Sequence, residues 1–95
     1  MFTIYVKFEC KDNKREEFIE RVKSSGVLET IRNEDGCIAY DYYLSEKDKN
    51  LLLLIEKWES KNHQQVHLTT PHMDILRSFK DDYILTTTLG EFELK

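Results

Sequence analysis

Leu51-Leu52-Leu53-Leu54-Ile55-Glu56-Lys57-Trp58-Glu59 decides the fold. Its first five residues form the longest unbroken apolar run in the chain. That is far short of the ~20 apolar residues a membrane-spanning helix needs. In an extended strand, side chains alternate between two faces. Leu52, Leu54, Glu56 and Trp58 then share one face, and Leu51, Leu53 and Ile55 the other. A sheet with one face in water shows apolar residues only at every second position. Here both faces are apolar, so both must be covered.

The flanking sequence supplies one cover. Phe2 to Glu9 alternates strictly and reads as a first strand with Phe2, Ile4, Val6 and Phe8 on one side. Asn13 and Glu16 read as a capping box, and Phe18, Ile19 and Val22 follow at helical spacing. Ser24-Ser25-Gly26 should break this helix before Val27, Leu28 and Ile31, which lie on a different side of the wheel. Asp35-Gly36 opens a second strand, Cys37 to Leu44, joined to the third by the polar turn Ser45 to Asn50. Ser60 can cap a short helix to about Leu68, and Thr70-Pro71 starts another carrying His72, Ile75, Leu76 and Phe79 on one face. Tyr83 to Leu94 reads as the last strand. The order βαββαβ is the split pattern of ferredoxin-like α+β domains, with helices on a single sheet face. The second face needs a second copy of the chain, and a homodimer is expected.

At 95 residues the chain makes one domain, 1–95, able to bury roughly 65% of its unfolded surface. Its 12% aromatic content excludes the disordered class. A formal charge of −4 without a basic cluster argues against a nucleic-acid partner, and no membrane segment is visible. Met1 to Ile4 lacks the features of a signal peptide. With only Cys10 and Cys37, a reducing cytoplasmic location is expected. Those two cysteines fall at opposite ends of parallel strands, roughly 26 Å apart, too far for a disulfide.

Among residues able to do chemistry, the histidines stand out. His63, Val66, His67 and Thr70 share one helical face, and His72 lies with the apolar face of the next helix. Each could be a partly buried histidine bonded to backbone or carboxylate. Alternatively, an imidazole between helices and sheet could hold or deprotonate an electron-rich substrate near neutral pH. His63 and His67 have i, i+4 spacing but lack the glutamate of the zinc-protease motif. Glu56 follows five apolar residues and needs a partner if buried; a structural contact to arginine or backbone accounts for it better than catalysis does. Trp58 either packs or floors a pocket. Tyr40, Tyr42 and Tyr43 suit a dimer interface or ligand stacking alike. No flavin, nucleotide, haem or metal motif is present, so no cofactor is expected.

Three blocks carry a family resemblance. Glu34-Asp35-Gly36-Cys37-Ile38-Ala39-Tyr40, Glu56-Lys57-Trp58-Glu59-Ser60 and His67-Leu68-Thr69-Thr70-Pro71-His72 resemble, in order, segments of the antibiotic biosynthesis monooxygenase family. The resemblance implies a dimeric α+β barrel and, in the oxygenases of that family, cofactor-independent attack of oxygen on a deprotonated quinol or anthrone. A haem-degrading branch uses Asn, Trp and His where this chain has Val6, His67 and Arg77, so haem degradation is not expected. His67 matches the histidine of quinol-oxygenase and isomerase-like members and becomes the candidate catalytic residue. Val6, Trp58, His72 and Arg77 complete the candidate substrate-binding set. A small phenolic or quinol substrate is the first expectation. Isomerisation of a phosphorylated dicarbonyl, with Arg77 on the phosphate, is the alternative, and a non-catalytic small-molecule-binding dimer is the third.

Overall fold

The computed structural model describes residues 1–92. Its elements run β1 (Phe2–Cys10), α1 (Arg15–Ser24), α2 (Val27–Arg32), β2 (Cys37–Leu44), β3 (Leu51–Trp58), α3 (Lys61–His67), α4 (Pro71–Lys80) and β4 (Ile84–Phe92). The strands form one sheet in the order β2-β3-β1-β4, every neighbouring pair antiparallel. This is the α+β ferredoxin-like arrangement that the strand and helix order predicts. The register sets Val6 opposite Leu54, Phe8 opposite Leu52 and Phe2 opposite Trp58.

The helices cover one face. Phe18 and Val22 of α1, Ile31 of α2, and Leu76 and Phe79 of α4 join Val6, Phe8, Leu52 and Leu54 in one buried core. Phe18 is its hub, with ring centroids 5.9 Å from Phe8 and 6.3 Å from both Tyr42 and Phe79. β3 alternates as its sequence requires: Leu52, Leu54, Glu56 and Trp58 are buried, and Leu51, Leu53 and Ile55 are half-buried on the face without helices. On that face a shallow groove is lined by Lys7, Tyr43, Leu44, Leu51 and Leu53.

Some local expectations need correction. Asn13 is no cap: it takes a left-handed φ of 63°, and Lys14 fills the cap position without a side-chain bond. Glu16 instead accepts from Arg15, whose Nη1 reaches the carbonyls of Ser45, Asp48 and Leu51 at 3.0, 2.9 and 3.2 Å. That nearly buried guanidinium pins the β2–β3 loop to α1. The break at Gly26 is present, with φ of 81°. On α4 the buried residues are Met73, Leu76 and Phe79, whereas Ile75 is 48% exposed, because the helix is rotated from the face assigned by spacing. Similarly, α3 buries Gln64 and His67 and turns Val66 to water. The expected end of the last strand at Leu94 lies outside the described residues. Cys10 and Cys37 are both free, at opposite ends of parallel β1 and β2.

Candidate active site

The core does not close completely. Between the helices and the β1–β4 half of the sheet lies a cavity of about 320 Å³. Ile4, Val6, Leu54, Met73 and Leu76 make its apolar wall. Thr87, Leu89 and Glu91 of β4 line its open side, where Leu89 is 63% exposed. Arg77 and Lys80 of α4 stand on the same rim. Tyr40, Glu56, Gln64 and His67 supply the polar end. A largely apolar chamber with a few convergent polar groups is the usual form of a small-molecule site.

Local sequence places His67. Ser60 accepts from the His63 backbone N–H at 3.2 Å and starts α3. One short helix later, His67 faces the sheet, 1% exposed, with its ring 4.7 Å from that of Trp58 and 5.8 Å from that of Tyr40. Its Nδ1 lies 2.7 Å from Glu34 Oε2. A carboxylate only accepts, so Nδ1 carries the proton and Nε2 keeps a lone pair. Nε2 is buried without a hydrogen-bond partner among the described residues; the nearest carboxylate oxygen there is Glu56 Oε1, 4.0 Å away.

Glu34 is the node of the arrangement. The same Oε2 also accepts from His72 Nε2 at 2.8 Å, and that nitrogen lies 3.1 Å from Thr70 Oγ1. Thr70 in turn donates to the His67 carbonyl at 2.8 Å. Thus the Thr-Pro-His junction at the start of α4 is tied back to the end of α3. Gly36 makes the entry to β2 possible: it has φ of 81°, and a Cβ there would run into the His63 ring. Only glycine takes that conformation without strain.

Glu56 is the group whose place the sequence left open. Its side chain is 6% exposed, and Oε1 accepts from the Trp58 indole at 3.1 Å. Oε2 has no hydrogen bond among the described residues. Burial pushes the Glu56 carboxyl up to about 7, and the Glu34 charge adds to this while the Trp58 bond opposes it. Burial pushes His67 down from the ordinary imidazole value, with the Glu34 bond opposing. Burial also holds the Tyr40 phenol well above its ordinary value.

The expected site residues therefore sort by position. Val6, His67 and Arg77, three positions far apart in sequence, all border the one cavity. Trp58 stands a layer behind, clamping His67 and Glu56, and His72 meets Glu34 instead of the cavity wall. Arg77 is held at the rim by Asp74, at 2.9 Å, and by the Leu68 carbonyl, at 2.6 Å. Sequence reasoning gave Glu34 no role; the only signal was its place beside Gly36 in a resembled block. Two donor sets are compact enough to share a metal ion, Glu34/His67/His72 and the more exposed Asp35/Glu59/His63. In the first, Glu34 already accepts from both histidines. His63 and His67, despite their spacing, belong to different sets.

Fold and cavity together define a ferredoxin-like α+β domain with a largely apolar chamber and a polar end. Residues 1–75 match the antibiotic biosynthesis monooxygenase family, and the chain belongs to it. It is 37% identical over 62 residues to the uncharacterized Synechocystis protein sll1783, covering 65% of this chain and only 41% of that protein. YcnE of Bacillus subtilis, provisionally named a monooxygenase, is 28% identical over 72 residues, covering 76% of this chain and 74% of YcnE. A crystal structure of an antibiotic biosynthesis monooxygenase superposes with TM-score 0.85 at 20% identity, covering 100% of this chain and 99% of the other. A conserved Methanosarcina mazei protein gives 0.87 at 22%, covering 99% and 92%. At such identities the structural matches speak for the fold alone. No described helix is long and apolar enough to cross a membrane.

Proposed function

We propose that the protein is a cofactor-independent monooxygenase of a small phenolic or quinol-type substrate bound in this cavity. The observation that carries the reading is an apolar chamber with the Glu56 carboxyl and the His67 imidazole at its polar end. A ligand hydroxyl seated at that end would meet the Glu56 carboxyl, with His67 beside it. Loss of a proton there leaves an electron-rich ring anion. The anion adds molecular oxygen at a ring C–H carbon, the peroxide takes back the proton, and loss of water from that CH–OOH group leaves C=O. One oxygen atom stays with the substrate and the other leaves as water; the substrate is oxidised and oxygen is the sole oxidant. Apolar walls suit a flat ring.

The active form on this reading is a homodimer in the cytoplasm. Support for the dimer comes from the helix-free sheet face, where Leu51, Leu53 and Ile55 are only half-buried among the described residues. The test is oxygen consumption with a panel of hydroxynaphthalenes, quinols and anthrones. Wild-type protein should consume oxygen with at least one member without added flavin or metal. His67→Ala, which removes the ring held between Glu34 and Glu56, should lower that rate. A wild-type protein inert across the panel would refute the reading.

A further inference from the structure

Family resemblance draws attention to His67, yet the geometry points to a neighbour. We propose that Glu56 is the group that takes the substrate's hydroxyl proton, with His67, Glu34 and His72 behind it as positioning residues. This deepens the phenolic-substrate reading and rests on it.

Three observations carry the assignment. Glu56 lines the cavity, and its two oxygens have different surroundings. Oε1 is fixed by the Trp58 indole at 3.1 Å, while Oε2 has no hydrogen bond among the described residues and is the oxygen left to meet a ligand. By contrast, the Nε2 of His67 is closed off, so a ligand cannot reach it without side-chain movement, although the ring borders the cavity. Finally, a carboxyl with little solvation binds a proton more tightly than an ordinary one and is a better base toward phenols. The groups around it act in known directions. Glu34, from the turn before β2, and burial raise its proton affinity, and the Trp58 bond lowers it. Neutral His67 of α3, Tyr40 of β2, Arg77 of α4 and Glu91 of β4 share the cavity wall, while β1 contributes only apolar side chains there.

The step is a simple transfer. The substrate O–H bond breaks, its electron pair stays on the substrate oxygen, and a new O–H bond forms on Glu56. The negative charge moves from carboxylate to ring, and the buried pole gains no charge. His67, 4.0 Å away, supports the carboxyl without changing its own protonation. The predicted ligand class is therefore a hydroxyl on a delocalised ring, acidic enough to exchange a proton with a carboxyl titrating near neutrality.

The product side of that step can be tested without oxygen. The probe is 2,4-dinitrophenol, already ionised in neutral buffer, which mimics the ring anion. It should bind with uptake of close to one proton above pH ~7, read by calorimetry in buffers of different ionisation heat. Wild-type affinity should then fall about tenfold per pH unit above that point. Glu56→Gln keeps the shape and a hydrogen-bond donor, so it should bind the probe with no proton uptake and no pH dependence. Retention of proton uptake in Glu56→Gln, with its loss in His67→Asn, would overturn the assignment in favour of His67. Failure of wild-type protein to bind the probe near pH 6 would overturn it as well. Oxygen plays no part, so a chain that couples probe to proton yet never consumes oxygen loses the oxygenase reading and keeps this one.

Discussion

Replacing Glu56 by Gln should stabilise the protein at alkaline pH and not at acid pH. The folded-state carboxyl titrates at about 7 against an ordinary 4.5, a difference of 2.5 units. A raised folded-state value means that the native chain holds a proton which the unfolded chain has released. The associated stability is fully present below the ordinary value and is lost as pH rises through about 7. At ~1.4 kcal/mol per unit, the full swing is about 3 kcal/mol, most of which falls between pH ~5 and pH ~8.5. The side chain is almost wholly buried, so solvent screens little of this. Glutamine fills the same space and does not titrate, so wild-type stability should fall over that interval relative to the variant. Urea denaturation of both proteins at the two pH values, at one fixed protein concentration, measures a difference of differences. Any constant packing cost of the amide cancels. An unchanged difference, within about 0.5 kcal/mol, would refute both the burial argument and the special status of this carboxyl.

Further outcomes follow from other parts of the structure. Nitrogen-resolved NMR should find His67 with its proton on Nδ1 and still neutral at a pH where an ordinary imidazole is half protonated. Its lowered value means the unfolded chain protonates first, so His67 withdraws stability as pH falls below about 6.5, opposite in sign to Glu56. Arg15→Leu removes the donor shared by the Ser45, Asp48 and Leu51 carbonyls and should cost about 1–3 kcal/mol, with faster amide exchange across residues 45–51. Gly36→Ala forces a side chain into a left-handed position against His63 and should cost about 1–3 kcal/mol in denaturant titrations. Light scattering should find a dimer, whose interface would bury more than about 2,000 Å², and Leu53→Glu on the helix-free face should shift it to monomer.

The fold was legible because its signals are periodic. Phe2 to Glu9 and Leu51 to Trp58 each state which residues share a face, and antiparallel pairing of β1 with β3 brings those faces into one sheet. Glycine at 26 and proline at 71 mark helix ends through backbone restrictions that hold in any context. Failures came where two local rules competed. Asn13 fits a cap, but asparagine is also tolerant of left-handed backbone, and that use won. On α4, Ile75 and Leu76 are adjacent and equally apolar, so spacing alone cannot choose which faces the core. Contact with the sheet and α2 makes the choice, burying Met73, Leu76 and Phe79.

The polar pole was half legible, for a reason worth following to its end. His67, Val6 and Arg77 were reached by alignment to family positions, and all three border the cavity. Glu34 and Glu56 were not separable from ordinary carboxylates, because what distinguishes them is their surroundings. Glu34 accepts from two imidazoles. Glu56 has one indole N–H and otherwise apolar or acidic company, so its charged form is disfavoured. The imidazole between them gives its only proton to Glu34 and turns its lone pair toward Glu56. Two carboxylates thus lie on either side of one ring, one bonded to its Nδ1 and the other 4.0 Å from its Nε2. If this is right, Glu34→Gln disturbs the site through His67 orientation and leaves the alkaline titration of Glu56 in place, shifted downward because a neighbouring negative charge is gone. A probe-binding pH profile of Glu34→Gln that kept the wild-type midpoint or moved upward would contradict the coupling.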